Sequence, residues 1–192
     1  MPELLAACVV HALLPDAGSV GVTAIDKRPV DGPIRVQKLG LHADVQASRK
    51  YHGGPDQALY VYSQEDAEYW QGELGRELPA GWFGENLRVT GIDLGAARVG
   101  ERWQIGPTVL VEVTSPRTPC ATFARWVGGA DARGWVKRFA EARRTGLYLR
   151  VVKQGSIVAG DEITVIHAPQ DAPTITEVFV GERGQLTAAP NA

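Results

Sequence analysis

The tightest constraint on the fold is the close spacing of short, β-branched apolar runs, each closed by a turn signal. Met1 to Leu14, Val20 to Ile25 and Ile34 to Leu41 read as the first three strands, with Pro15-Asp16-Ala17-Gly18 turning between the first two. Ala58 to Tyr62, Leu87 to Thr90, Arg102 to Ile105, Thr108 to Thr114, Leu147 to Val152, Ser156 to Val158 and Glu162 to Ile166 continue the series. Helical spacing is rarer. Ser63 stands as N-cap before Gln64-Glu65-Asp66, and Ala67, Trp70, Leu74 and Leu78 supply a core face that ends near Gly75 and Pro79. Two further helical patterns follow Cys120, and Thr174 to Glu177 caps a last short one. Such a chain, with about nine short strands and three or four helices, predicts a mainly β fold. The expected form is a closed, mostly antiparallel β-barrel with attached helices, not regular βαβ alternation.

The length of 192 residues suits one barrel domain over residues 1–168. Residues 169–192 then read as a linker, one short helix (Thr174 to Val180) and a disordered tail from Gln185. A net charge of −2 provides no electrostatic footprint for nucleic acid or anionic membrane. The N-terminal apolar run is short and has no basic stretch before it, so it is neither a secretion signal nor a membrane span. The two cysteines, Cys8 and Cys120, are therefore expected as reduced thiols in the cytoplasm. No glycine-rich nucleotide motif follows any strand.

Chemistry concentrates at Ser115-Pro116-Arg117-Thr118-Pro119-Cys120, between a strand and a helical pattern. Thr118 as N-cap and Pro119 at the first helical position put Cys120 in the first turn, beside unpaired N–H groups and the positive end of the helix dipole. Arg117 adds a full charge nearby. Both favour a thiolate, the form that acts as nucleophile or metal ligand; the alternative is a small buried hydrophobe. Upstream, the paired glycines of Tyr51-His52-Gly53-Gly54-Pro55-Asp56 permit close backbone approach to a ligand.

Three segments in order, His52-Gly53-Gly54-Pro55-Asp56, Gly84-Glu85-Asn86-Leu87 and Pro116-Arg117-Thr118-Pro119-Cys120, resemble the MOSC family and, within it, its stand-alone YiiM-like branch. Lys27-Arg28-Pro29-Val30, Asp44, Arg144 to Arg150 and Ala159-Gly160-Asp161 extend the likeness over most of the chain, about Ala24 to Ile166. The resemblance implies a β-barrel that binds a molybdopterin-type molybdenum cofactor, with Cys120 at its mouth as the metal ligand. It implies reduction of small N-hydroxylated compounds, with electrons from a separate reductase. A second implied function is a non-catalytic cofactor carrier or a sulfur-transfer module using a Cys120 persulfide. A third, blander reading is a barrel that binds some other anion.

Beside Gly53-Gly54, His52 is read as a catalytic residue that donates a hydrogen bond or a proton, with a turn histidine of no role as the alternative. Lys27, Arg28, Arg117 and Arg150 are placed as anion ligands, each with an ordinary ion pair or solvated turn as the alternative. Gly53, Gly54, Asp44, Asn86 and Thr118 complete the expected cofactor-binding set; the alternatives are a simple turn acid for Asp44 and, for Asn86, a strand-start residue that fixes the Gly84-Glu85 turn. Leu41-His42-Ala43-Asp44 departs from the family's usual Gly-acid-Gly-Asp, and Val45-Gln46 stands where a basic residue or histidine is usual.

Overall fold

A computed structural model describes residues 1–18, 20–46, 53–128 and 134–188, with side chains through residue 181. Eleven strands and four α-helices lie among them. The long first strand β1 (Glu3–Pro15) divides its pairing. Its early residues run antiparallel to β6 (Leu87–Thr90), and from Cys8 onward it pairs with β2 (Val22–Pro29). β2 thus extends through Asp26-Lys27-Arg28, beyond Ile25, where the sequence reading ends that strand. Pro29 is accommodated because it ends an edge strand.

Ile34 to Leu41, read as one strand, is a small hairpin of β3 (Ile34–Gln37) and β4 (Gly40–Leu41). It makes a second sheet with β10 (Gly155–Ile157). The main sheet has eight strands. Running inward from one edge they are β11 (Ile163–His167), β7 (Arg102–Ile105), β8 (Val109–Pro116), β9 (Leu147–Lys153) and β5 (Leu59–Ser63), followed by β6, β1 and β2. Every pairing is antiparallel except β5 with β6, which the helix α1 (Gln64–Leu74) joins as a parallel crossover.

The expected closed barrel is not found: among the described residues β11 and β2 end the sheet, and no ladder joins them. The start of β1 meets the start of β11 and the residues before it at one isolated bridge, Glu3 to Glu162, where Leu4 N–H donates to Asp161 O (2.9 Å), Gly160 N–H to Leu4 O (2.8 Å) and Ile163 N–H to Pro2 O (2.9 Å). The contact stays short, because from Ala7 onward β1 gives that edge to Val30 and β2.

The alternation of β5 explains the two layers around it. Leu59 and Val61 enter an aliphatic core with Leu4, Leu87, Val111 and Leu149, while Tyr60 and Tyr62 face an aromatic one. The aromatic layer is covered by α1, α2 (Ala121–Gly128) and α3 (Trp135–Ala142). Tyr62 stacks on Phe83 at 4.0 Å, and Phe123 lies 4.6 Å from Phe139. Trp70 is core, as its spacing predicts. Ser63 caps α1 through Asp66 N–H, and Gly75 ends it at φ 62°.

The final helix α4 (Ile175–Ala188) is capped reciprocally by Thr174 and Glu177. It runs past both Val180 and Gln185, where the sequence reading ended it and began a tail. Ile175 and Phe179 are buried, which anchors its first turns. No helix among the described residues is long and apolar enough to cross a membrane.

Candidate functional site

A cavity of about 350 Å³ opens where the aromatic layer meets the β1–β2 hairpin and α2. Cys120, Arg117, Tyr60, Tyr148, Lys27 and Asn86 are among the residues on its walls.

Strand β8 ends at Pro116, and four irregular residues then carry the chain to α2. The helix begins at Ala121, two residues later than the sequence suggests for its first turn. Ala124 N–H donates to Cys120 O at 3.1 Å, so Cys120 rather than Thr118 is the N-cap. The reason is Arg117. Its side chain is buried and turns back to donate to Thr118 O at 2.5 Å, which holds 117–120 out of helix. Cys120 keeps its place at the positive end of the dipole. Its Sγ accepts a long hydrogen bond from Arg117 Nη2 at 3.9 Å.

The Arg117 guanidinium also lies 5.2 Å over the Tyr60 ring. Burial works against its charge, but Tyr148, Tyr60 and Cys120 outweigh that, and its pKa is raised. Burial likewise raises the Tyr60 and Tyr148 phenols, Arg117 notwithstanding, so both are neutral at physiological pH.

A second part of the wall is a polar knot. Asp44 accepts from Lys27 Nζ at 2.5 Å, Asn86 Nδ2 at 2.7 Å and Val10 N–H at 2.9 Å. Asn86 in turn accepts from Tyr60 N–H at 3.1 Å and donates to Cys8 O. The knot therefore ties β1, β2, β5 and β6 together, and Asn86 spends its amide on protein. Of the three Lys27 donors, one is used among the described residues. Behind the knot Cys8 is a free thiol, pushed up to about 12 by burial first and Glu85 second, so the two cysteines do not pair.

Ala43, just before Asp44, sits at φ 66° and is exposed. An L-residue there costs roughly 1–2 kcal/mol that glycine avoids. We expect Ala43→Gly to raise stability by about 0.5 kcal/mol, once the greater freedom of glycine in the unfolded chain is subtracted. Urea unfolding checks this; a drop in midpoint would contradict it.

Lys27, Asp44, Asn86, Arg117 and Cys120 thus converge on one cavity, whereas other expected site residues do not line it. Arg28 is exposed and pairs with Asp26. Thr118 is exposed. Arg150 lies on the outer face of β9 in ion pairs with Asp56 (2.7 Å) and Glu112 (3.2 Å), the ordinary alternative for that residue. Gly53 and Gly54 are not on the wall. Gly54, at φ 92°, caps a short 3-10 turn, and its N–H is held by Gln46, which is on the wall. His52 lies outside the described residues.

Sequence reasoning missed a third cluster. Asp16, at the tip of the β1–β2 hairpin, accepts from Arg125 Nε (2.8 Å) and Nη2 (2.7 Å), from Thr122 Oγ1 (2.9 Å) and from Gly18 N–H (3.1 Å). The Arg125 bonds above all hold its carboxyl down to about 2, with Thr122 and Gly18 adding to them against a cost of burial. All four residues line the cavity. Only an acid in a turn and an arginine on a helix were visible in the sequence. Among the described residues no group of three or more His, Cys, Asp or Glu side chains is placed to hold a metal ion.

The sequence model of the MOSC domain matches residues 48–164. The chain belongs to the MOSC domain family. It is 32% identical over 144 residues to the uncharacterized protein YflK of Bacillus subtilis, covering 75% of this chain and 63% of that one. It is also 32% identical over 150 residues to a protein named Reductase from Gibberella moniliformis, covering 77% of this chain but 26% of that one. The chain thus spans less than two thirds of either relative. Among solved structures, YiiM from Geobacillus stearothermophilus superposes with a TM-score of 0.74 at 25% identity, covering 99% of this chain and 92% of that one. This MOSC protein is therefore YiiM-like, mainly β with few helices.

Proposed function

We propose that this MOSC protein holds a molybdopterin-type molybdenum cofactor in the cavity, with Cys120 as metal ligand, and reduces N-hydroxylated compounds. The observation that carries the reading is a half-buried thiol, touched by Arg117, in the wall of a cavity of about 350 Å³ that also carries Lys27 and Arg125. That volume suits a cofactor-sized ligand. A soft sulfur donor suits a metal otherwise held by dithiolene sulfurs. No three protein ligands converge among the described residues, so with Cys120 as one ligand the cofactor would have to supply the remaining donors.

When bound, the molybdenum supplies two-electron oxygen-transfer chemistry. The residues of the chain bind and orient. The remaining donors of Lys27 would hold an anionic phosphate, and Arg117 keeps its charge beside Cys120. Tyr60 and Tyr148 remain protonated on the wall and add no negative charge; Tyr60 spends its phenol proton on Thr145 O at 2.7 Å, which leaves Tyr148 as the phenol donor. In the overall reaction the N–O bond breaks, and two electrons and two protons convert the N-hydroxyl group to N–H and water. With two cysteines, the chain cannot build a four-cysteine iron–sulfur cluster. We assign electron delivery to a separate reductase, consistent with the small share of the longer Gibberella Reductase that this chain matches.

The purified, molybdenum-loaded protein is expected to be inactive on N-hydroxylated bases with NADH alone and to turn over when an electron-transfer reductase is added. Turnover without that addition would refute the partner, and inactivity with chemically reduced protein would refute the reaction.

A further inference from the structure

We propose that Asp16 and Arg125 form a positioning clamp that fixes the first turns of α2, and with them Cys120, against the β1–β2 hairpin, so setting the width of the cavity. The inference deepens the reading of this cavity as the functional site, but it concerns the geometry of the chain alone.

The observations are geometric. Helix α2 has two anchors on different faces. Its apolar face enters the aromatic layer through Phe123 and Ala124, and Trp126 Nε1 donates to Trp82 O at 2.8 Å. Its polar face is held by a carboxylate 109 residues away in sequence. That carboxylate is itself nearly buried, at 9% side-chain exposure. It accepts Arg125 in a two-pronged fork, a geometry that fixes direction as well as distance. Thr122, one turn earlier, donates to the same carboxylate and accepts from Arg125 Nη2 at 3.2 Å, so three side chains lock as a unit.

The hairpin side is equally specific. Asp16 Oδ2 accepts from Gly18 N–H, which shapes the tip, and a Cβ at Gly18 would approach that oxygen within 2.7 Å. Val20 and Val22, just beyond the tip, line the same cavity as Cys120. Both are more than 40% exposed, so little apolar packing holds this wall in place. Releasing the clamp therefore frees the hairpin wall and lets the start of α2 turn on its remaining aromatic anchor.

The test uses thiol alkylation of the metal-free protein. Rates at Cys120 are measured with iodoacetamide and with a bulky fluorescein maleimide, for the wild type, Asp16→Ala, Arg125→Ala and the double variant. The ratio of bulky to small reagent rates is expected to rise about tenfold in each single variant, the order of one lost charge-assisted interaction. The double variant is expected to rise no further, because the two residues act as one unit. Asp16→Asn keeps an acceptor for Thr122 and Gly18 and should lie between. Buried Cys8 is the internal control. An unchanged ratio in the single variants, additive effects in the double, or Cys8 reacting as fast as Cys120 would overturn the proposal; the last would mean that the pair holds the fold and not the cavity. Failure of the molybdenum reading would leave these rates untouched.

Discussion

Cys120→Ser is expected to lose stoichiometric molybdenum when made in cells competent for cofactor synthesis, and to lower reduction of N-hydroxylated substrates by more than about 100-fold. Outer residues that merely orient a ligand already cost about 10- to 100-fold in metal affinity or activity, and here the ligand itself is removed. Serine is a hard, weakly acidic donor where a soft thiolate is needed. The fold should survive. Cys120 is half-buried at an N-cap, a position that serine fills well. The melting temperature should therefore shift by no more than about 2 °C. Metal analysis and thermal unfolding on the same preparations separate the two effects. A wild type without molybdenum, but heavier by one sulfur at Cys120, would favour the persulfide carrier instead.

Glu85→Ala is expected to destabilise the protein by about 3–5 kcal/mol, the usual cost of stranding a buried charge. Glu85 is fully buried and accepts from Gly81 N–H (2.7 Å), Phe83 N–H (2.9 Å), and Arg88 Nε (2.9 Å) and Nη2 (2.6 Å). Arg88, almost as buried, lies 5.6 Å over the Phe83 ring and donates to Gln64 and Pro79. Removing Glu85 leaves that guanidinium in the aromatic layer without its counter-ion and frees the turn before β6. Gly81, held in that turn at φ 90°, brings its backbone against Lys27 O, so the loss reaches the wall of the cavity as well. A fall in melting temperature of about 10 °C follows for a chain of this size. The double variant Glu85→Met/Arg88→Met should lose less than the single one, because it leaves no unpaired charge. If the double loses as much as the sum of the singles, the pair is not the reason for the Gly-Glu-Asn-Leu segment. Differential scanning calorimetry reads both.

What was legible in the sequence is what local chemistry decides. Ser63 and Gly75 bound α1, and β5 and β8 are recognisable as apolar runs. The Pro-rich turn to Cys120 is visible from residue types alone. The remainder depended on partners far along the chain. Lys27 lies in a strand because β1 offers Val10 as its neighbour. Arg150 faces outward because its parity on β9 sets it beside Glu112, not beside Cys120. Thr118 lost the cap to Cys120 because Arg117 folds back onto its carbonyl. Asp16 and Arg125 carry no motif, and only the fold brings them together. The expected closed barrel failed for a similar reason: the spacing of strands predicts neighbours, whereas closure depends on which edge of β1 remains free.

X-ray absorption at the molybdenum edge tests the central claim most directly. The wild-type protein, loaded in vivo, should show one more sulfur neighbour at the metal than the cofactor released from it by unfolding. An equal sulfur count in the two samples would show that Cys120 does not ligate the metal, and the account of the site would fail.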